Sequence, residues 1–218
     1  MIKQLVTVLL ADEHNLVRKG IKKIIDETKK IKVIGEASSG EEVLQLLQKI
    51  TPDVVVLDLR MPGVGGLETT RKILHFKPQV KVLILTACDD NLYPARALQV
   101  GALGYVTKDA KEEELIQGIL EVANGRKYII PRLAQKMILS QTSLDSKSPF
   151  EVLSNRELQV VTMVTQGIKA PIIAKKLNLS PKTINTYRYR IFKKLHIKTS
   201  SDVELAYLAM QYGIVKDK

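Results

Sequence analysis

The chain has few of the residues that crosslink or anchor a protein. Its 218 residues include one cysteine, Cys88, and three histidines. One cysteine forms no internal disulfide, and no Cys and His spacing typical of a metal site occurs, which indicates a reducing compartment. No window holds the roughly 18 consecutive apolar residues that a membrane span requires. The sequence therefore predicts a cytoplasmic protein with no membrane association.

The apolar run at the N-terminus is also short. It covers residues 5–11, stops at Asp12 and Glu13, and has no small-residue cleavage site. Such a run predicts a β-strand rather than a signal peptide. A hydrophobic content of 45% is enough for a buried core without crosslinks.

Acidic residues are outnumbered, and they are scarcest near the C-terminus. The formal net charge is +11, and residues 149–218 carry 12 Lys and Arg against 5 Asp and Glu. Basic character in a compact segment predicts binding to a polyanion, although a solvated lysine-rich face has the same composition.

The first 124 residues alternate between strand-like and helix-like patterns. Predicted strands lie at 5–11, 31–37, 54–57, 80–86 and 103–107, and predicted helices at 17–27, 41–49, 67–76, 89–100 and 111–124. Parallel crossovers are right-handed, and each helix must bury an apolar stripe. The order therefore predicts a doubly wound α/β fold with a five-stranded parallel sheet.

Strand patterns end after residue 124. One more helix is predicted over 131–139, and residues 140–149 have the composition of a flexible connector. The remainder predicts helices at 154–166, 171–178, 181–195 and 201–212, of which the second and third have helix-turn-helix spacing. We expect an α/β domain over 1–124, a linker over 125–149 and an all-α helix-turn-helix domain over 150–218.

Acids follow two predicted strands that should be neighbours. Asp58 comes directly after the apolar run 54–57, and Asp12 with Glu13 follows the first strand. In open α/β sheets, sites lie outside the carboxyl ends of the strands, so three carboxylates are expected to converge. Such a cluster needs a cation, and hard oxygen ligands favour Mg²⁺. Each acid alone could instead cap a turn or a helix.

The fourth and fifth predicted strands end in Thr86 and Lys108, a hydroxyl donor and a cation. Together with Asp58, these two side chains could bind a phosphoryl group. Attack by the Asp58 carboxylate on a phosphorus donor would give an acyl phosphate, while Mg²⁺ and Lys108 neutralise the charge. Acid, acid, Thr and Lys at four strand ends form a far more specific pattern than any one of them.

These motifs resemble the receiver domain of bacterial two-component response regulators over residues 3 to about 124. The matching segments are Asp12-Glu13, DLRMPGVGGLE around Asp58, Thr86-Ala87, and GALGYVTK at 101–108. The resemblance implies that a sensor histidine kinase phosphorylates Asp58. It also implies a Mg²⁺ site, a phosphoryl-binding lysine and two switch residues, namely Asp12, Glu13, Asp58 and the Arg60 backbone carbonyl for Mg²⁺, Lys108 for the phosphoryl group, and Thr86 with Tyr105 for the switch.

Two positions depart from the family pattern. Glu13 stands where the family usually has Asp, which adds a methylene but keeps the charge and the ligand atom. Asp109 stands where the family often has Pro after the lysine. We therefore expect no cis peptide there, and we expect Asp109 to be the N-cap of the fifth helix, with Glu112 completing a capping box.

The basic segment 181–195 has one apolar stripe, formed by Ile184, Ile191 and Leu195, and a polar remainder. Asn, Arg and Thr side chains read base edges in the major groove, while Lys and Tyr suit phosphates. A charged surface helix would show the same pattern.

Residues 150–213 resemble the LuxR-type (NarL/FixJ) DNA-binding domain. The match rests on LSNRE at 153–157, Gly167, Ile173-Ala174 and LSPKTI at 179–184. The recognition helix is especially similar to the GacA/UvrY branch, which implies control of small regulatory RNA genes in carbon storage, motility or virulence. The family pattern gives as base-facing candidates Asn185, Thr186, Tyr189 and Arg188, and as phosphate-facing candidates Lys182, Thr183, Tyr187, Arg190 and Lys194.

The sequence thus predicts a phosphorylation-switched regulator, and no turnover enzyme, that binds double-stranded promoter DNA as a homodimer, at least when phosphorylated or bound to DNA. One alternative is a DNA-binding protein whose receiver no longer signals, to which Glu13 points. Another is an aspartyl-phosphate phosphatase of the haloacid dehalogenase kind. Such enzymes place a second Asp two residues after the first, where this chain has Arg60.

Overall fold

The computed structural model of the chain describes residues 5–87, 92–142, 148–199 and 201–214. Two compact units divide the chain, one built mainly from residues up to Thr142 and one mainly from those after it. Three predicted features lie partly or wholly outside the described residues: Cys88, to which no function is assigned, the start of the helix expected at 89–100, and part of the connector expected at 140–149.

The first unit is a doubly wound α/β domain, as predicted. Its strands are β1 (Val6–Ala11), β2 (Ile31–Ala37), β3 (Val54–Leu57), β4 (Lys81–Thr86), β5 (Gly104–Thr107) and β6 (Tyr128–Ile129). Its helices are α1 (Asn15–Asp26), α2 (Gly40–Lys49), α3 (Gly66–Phe76), α4 (Leu92–Gln99), α5 (Glu112–Ala123) and α6 (Pro131–Thr142). The strands are parallel to their neighbours in the order β2-β1-β3-β4-β5-β6.

The centre of the sheet is β3. All four of its residues are fully buried, because β1 and β4 flank it and α5 packs against it. Burying a Val or Leu side chain contributes roughly 1.5–3 kcal/mol, so this short strand is firmly held without any polar face. Its rigid carboxyl end fixes the position of the residue that follows, Asp58.

The sheet has one strand more than the five that the sequence predicted. Tyr128 pairs with Gly104 and Ile129 with Tyr105, which adds β6 beside β5. Two residues are too few to show a periodicity, so the pattern that revealed the other strands could not reveal this one. The first unit therefore continues past the expected end at 124 and includes α6.

The start of α5 differs from the prediction. Lys111, not Asp109, is the N-cap, and its N–H donates to the Glu114 carboxylate at 2.9 Å, so Glu112 completes no capping box. Asp109 instead pairs with Arg132 of α6. As expected, the described residues contain no cis peptide bond.

In its described residues the second unit contains helices and no strand, as predicted. They are a 3₁₀ turn (Pro149–Val152), α7 (Asn155–Thr165), α8 (Ala170–Lys176), α9 (Pro181–Lys194) and α10 (Asp202–Gln211). Ser154 and Glu157 form the expected capping box of α7, and Ser180 caps α9. The turn between α8 and α9 places Asn178 at φ 54°, a conformation that Asn tolerates. Across the described ranges, no helix is long and apolar enough to cross a membrane.

Candidate functional site

Two buried carboxylates lie side by side at the carboxyl end of the sheet. Asp12 follows β1 and Asp58 follows β3, and these strands are paired so that Ala11 lies opposite Leu57. The residues are 1% and 3% exposed. Two charges removed from water in this way need a cation between them to be stable.

Lys108, the residue directly after β5, supplies that cation. Its Nζ donates to Asp58 Oδ2 at 2.6 Å and lies 2.5 Å from Asp12 Oδ2. Its backbone N–H donates to the Thr86 carbonyl at 2.8 Å, which continues the β4–β5 ladder past the last strand residue. Burial lowers the pKa of the ammonium, but the charge of Asp58 and the hydrogen bonds to Asp12 and Asp58 outweigh burial and hold the pKa above its ordinary value.

The second oxygen of each acid accepts a backbone hydrogen bond. Asp58 Oδ1 accepts from the Arg60 N–H at 3.1 Å, and Asp12 Oδ1 accepts from the His14 N–H at 2.8 Å. Both carboxylates are therefore oriented by the chain as well as by Lys108. The role of the Arg60 carbonyl as a metal ligand stays a prediction.

The two expected switch residues are fully buried. Thr86 ends β4 and Tyr105 lies within β5, each with 0% exposure. The Thr86 Oγ1 is one of the few buried polar side-chain atoms, within the ranges described, that has no hydrogen-bond partner. An unpaired buried hydroxyl costs free energy, so this atom is available to a group that reaches the site.

Glu13 is the third acid that the sequence predicted for this cluster. It is only half-buried, and among the described residues no group of three or more His, Cys, Asp and Glu side chains is arranged to hold a metal. Mg²⁺ commonly binds through one or two carboxylates and keeps several waters. The buried pair Asp12 and Asp58 fits that ion, and Glu13 as a ligand stays a prediction.

Sequence reasoning missed Glu41, which supports the loop after Asp58. Its Oε1 accepts a hydrogen bond from the Val64 N–H at 3.2 Å. At the start of α3, a Cβ on Gly66 would overlap the Asp58 carbonyl, so glycine is required where this helix approaches Asp58. Glu41 is only one of two acids in the first turn of α2, and nothing local distinguishes it.

A second polar cluster is formed by Thr107, Asp109 and Arg132, and we call it the Arg132 cluster. Its first two members are the residues before and after Lys108 in the chain. Arg132 Nη2 donates to Thr107 Oγ1 and to Asp109 Oδ1, each at 2.6 Å. A hydrogen bond from Thr107 and the guanidinium of Arg132 lower the pKa of the Asp109 carboxyl. The sequence carried no signal for Arg132, because its partners lie more than 20 residues away.

The polar face of α9 is largely exposed, as the pattern predicted. Ile184, Ile191 and Leu195 are buried. Among the predicted DNA contacts, the exposed residues are Lys182, Asn185, Thr186, Tyr189, Arg190 and Lys194, and the half-buried ones are Thr183, Tyr187 and Arg188. An exposed basic helix that follows another helix and a short turn has the geometry to enter a major groove.

Two of the predicted DNA contacts are engaged within the protein. Arg188 Nη2 donates to Asp202 Oδ1 of α10 at 2.6 Å, and its guanidinium lies 5.9 Å from the Phe192 ring centre. Lys194 Nζ donates to the buried Glu157 carboxylate of α7 at 2.7 Å. Burial raises the Glu157 pKa, but the bonds from Lys194 and Ser154 outweigh it and hold the pKa below its ordinary value. Both basic side chains hold α9 to its neighbours.

Models of two protein families match the chain. Residues 8–120 match the response regulator receiver domain, and residues 151–209 match the bacterial regulatory proteins of the luxR family. Together with the fold and the buried site, these matches define a two-component response regulator with a helix-turn-helix output domain. The chain belongs to the LuxR-type (NarL/FixJ) response regulator family.

The similarity to individual relatives extends over nearly the whole chain. It is 47% identical to the response regulator GacA of Pseudomonas aeruginosa, over 97% of this chain and 98% of that protein. Identity to the response regulator UvrY of Escherichia coli is also 47%, over 96% of each. Among solved structures, RcsB of Salmonella enterica bound to the rprA promoter with the phosphomimetic BeF₃⁻ is 26% identical, with a TM-score of 0.68 over 93% of this chain and 98% of that one.

Proposed function

We propose that the chain is a phosphorylation-controlled transcription regulator that accepts a phosphoryl group on Asp58 from a sensor histidine kinase. The observation that carries the proposal is the contact of 2.6 Å between Lys108 Nζ and a nearly fully buried Asp58, beside a second buried acid, Asp12. A structural Asp needs no such arrangement at the end of a central strand. A DNA-binding regulator acts where the DNA is, so we place it in the cytoplasm.

The reaction at Asp58 is nucleophilic. A carboxylate oxygen forms a bond to phosphorus while the bond from phosphorus to the donor, a histidine nitrogen or an acyl oxygen, breaks. Lys108 stabilises negative charge on the transferring oxygens, and the Arg60 N–H orients the carboxylate. Mg²⁺, held by Asp12 and Asp58 and, as the family pattern implies, Glu13 and the Arg60 carbonyl, would supply further charge neutralisation.

Thr86 and Tyr105 carry the switch in this proposal. The unpaired hydroxyl of Thr86 has a hydrogen bond to give to a phosphoryl oxygen. Phosphorylation adds charge and strong acceptors, which favours one of two conformations of the receiver. The favoured conformation would promote homodimerisation and DNA binding.

The DNA-binding unit would read promoter DNA through α9. Its exposed Asn185, Thr186 and Tyr189 are the base-facing candidates, and Lys182 with Arg190 faces phosphates. RcsB structures with two different promoters are among the structural neighbours, which supports the same mode of action here. The likeness to GacA and UvrY supports the proposal that the target genes encode small regulatory RNAs for carbon storage, motility or virulence.

The alternatives have less support. A phosphatase of the haloacid dehalogenase kind needs a second Asp where this chain has Arg60. A receiver that no longer signals would need neither an available Thr86 hydroxyl nor a lysine held on Asp58. Glu13 is the residue that favours a receiver that no longer signals.

Labelling with acetyl phosphate and Mg²⁺ tests the phosphorylation site. We expect stable label on the wild-type chain, no label on Asp58→Asn, and normal label on Asp26→Asn, a matched control at an exposed Asp of the same unit. Undiminished label on Asp58→Asn would refute the assignment. Turnover of a phosphomonoester by the purified chain would favour the phosphatase instead.

Footprinting on genomic fragments tests the DNA-binding role. Binding should fall with rising salt, and phosphorylation should strengthen it. Lys182→Ala should weaken binding to specific and random DNA alike, while Asn185→Ala should weaken the specific complex by about 1–3 kcal/mol. Equal losses on both kinds of DNA for Asn185→Ala would contradict its base-reading role, and affinity independent of phosphorylation would favour the silent receiver.

A further inference from the structure

The Arg132 cluster holds the chain on both sides of Lys108. Thr107 is 2% exposed and Asp109 is exposed, and a single nitrogen of Arg132 lies 2.6 Å from the side-chain oxygen of each. Arg132 therefore bridges the side chains of two residues that flank Lys108 in the chain. Lys108 is the residue between the two that Arg132 binds.

The charge of Asp109 is the reason that this cluster matters. Asp109 is adjacent to Lys108 in the chain, and an ammonium on a flexible four-carbon stem can turn to a nearby carboxylate. Each such conformation would remove Lys108 from Asp12 and Asp58. The guanidinium of Arg132 satisfies the Asp109 carboxylate and keeps it in a fixed place.

We propose that Arg132 is a positioning residue for phosphorylation, which holds Asp109 away from Lys108 so that the ammonium stays directed at Asp58. The inference rests on the proposed function of Asp58 and adds a regulator of the same site. Arg132 is the second residue of α6, which precedes the DNA-binding unit in the chain. The proposal therefore gives α6 a direct influence on the phosphorylation rate.

The size of the effect follows from exposure. The Arg132 and Asp109 side chains are 53% and 67% exposed, so their ion pair is screened by water. Exposed pairs contribute little, so we expect only about a threefold loss of phosphorylation rate in Arg132→Ala. A matched control is Arg126→Ala. It removes another exposed arginine, whose acidic partner Glu121 is not a chain neighbour of Lys108.

The test measures the initial rate of acetyl phosphate labelling on the full chain. We expect Arg132→Ala to be about threefold slower than wild type. We expect Arg126→Ala to match wild type, and Arg132→Ala/Asp109→Asn to recover the rate, because the competing carboxylate is gone. In a Lys108→Ala background, Arg132→Ala should change nothing further. A merely structural role for Arg132 would give no rescue by Asp109→Asn and would slow both backgrounds.

Each contrary result has a distinct meaning. If the wild-type chain is labelled and Arg132→Ala is labelled at the same rate, the positioning role is overturned and Asp58 remains the phosphoacceptor. The same holds if Asp109→Asn does not restore the rate of Arg132→Ala. No label on the wild-type chain would overturn the proposed function and this inference with it. Melting temperatures of Arg132→Ala and Arg126→Ala show whether both variants are folded during the comparison.

Discussion

Lys108 Nζ and Asp58 Oδ2 lie 2.6 Å apart and join β5 to β3 across the end of β4. The same ammonium contacts Asp12, so two buried acids share one lysine. A metal ion at these acids must share them with Lys108 or displace it. Charge balance at the site therefore connects lysine, metal and phosphoryl group.

Lys108→Ala should weaken the first unit in metal-free buffer. Removing one partner of a buried ion pair leaves uncompensated charge, which costs roughly 3 kcal/mol. Mg²⁺ should recover much of this loss because it binds the folded unit, so the melting temperature should rise more with Mg²⁺ in the variant than in wild type. Calorimetry with and without MgCl₂ measures both effects.

Lys111→Ala is the control for that experiment. Lys111 is exposed and lies three residues further along the same loop. Its removal should change neither the stability nor the response to Mg²⁺. An equal Mg²⁺ response in Lys108→Ala and wild type would show that the metal does not bind at the two acids.

Thr86→Val should separate stability from signalling. The substitution removes a buried hydroxyl that has no partner in the described structure, so stability should rise by up to about 1 kcal/mol. The response of DNA binding to phosphorylation should fall, while labelling of Asp58 persists. Thr70→Val is the matched control, since its hydroxyl is buried and donates to the Gly66 carbonyl, and it should lose about 1 kcal/mol. A fully retained response in Thr86→Val would contradict its switch role.

Arg188 and Arg190 should differ in DNA binding although both lie on α9. Arg188 is bound to Asp202, so Arg188→Ala should chiefly reduce the stability of the second unit. Arg190 is exposed, so Arg190→Ala should leave stability unchanged and reduce the slope of log affinity against log salt by about 1. Thermal melts and salt titrations on one promoter fragment compare them. The reverse pattern would place Arg188, not Arg190, on the phosphates.

Acid should loosen α7 through Glu157. Its pKa is lowered from the ordinary 4.5, so the stability that it contributes is present above pH 4.5 and is lost as pH falls through the folded pKa. Hydrogen exchange of α7 amides in the full chain should therefore accelerate below that pH. Glu157→Gln should remove this dependence, and Lys194→Ala should shift it to higher pH. An identical pH profile in all three chains would contradict the proposed role of the ion pair.

Local patterns predicted the parts of the site that the backbone fixes. The apolar run of β3 followed by Asp58, and the Thr86 and Lys108 strand ends, place their residues through strand order alone. Glu13, one residue beyond Asp12, is only half-buried, and its role as a metal ligand stays a prediction.

The internal contacts of Arg132, Glu41 and Lys194 could not be predicted, because each of these residues binds a partner more than 20 positions away. Their contacts arise only once the helices are packed. The prediction that Asp109 is the N-cap of α5 was wrong for a related reason. Asp109 is a good capping residue by type, but its carboxylate is occupied by Arg132, and Glu114 caps from within the helix instead.

The two-residue strand β6 determines where the first unit can be cut. A fragment that ends at Asn124 would lose β6 and α6 and leave one side of β5 unpaired. Unpaired strands of buried, apolar sequence recruit strands of other molecules, and β5 carries Tyr105 and Val106, both fully buried. We expect such a fragment to be less soluble than one that ends after α6, because the longer fragment keeps β6 beside Gly104 and Tyr105.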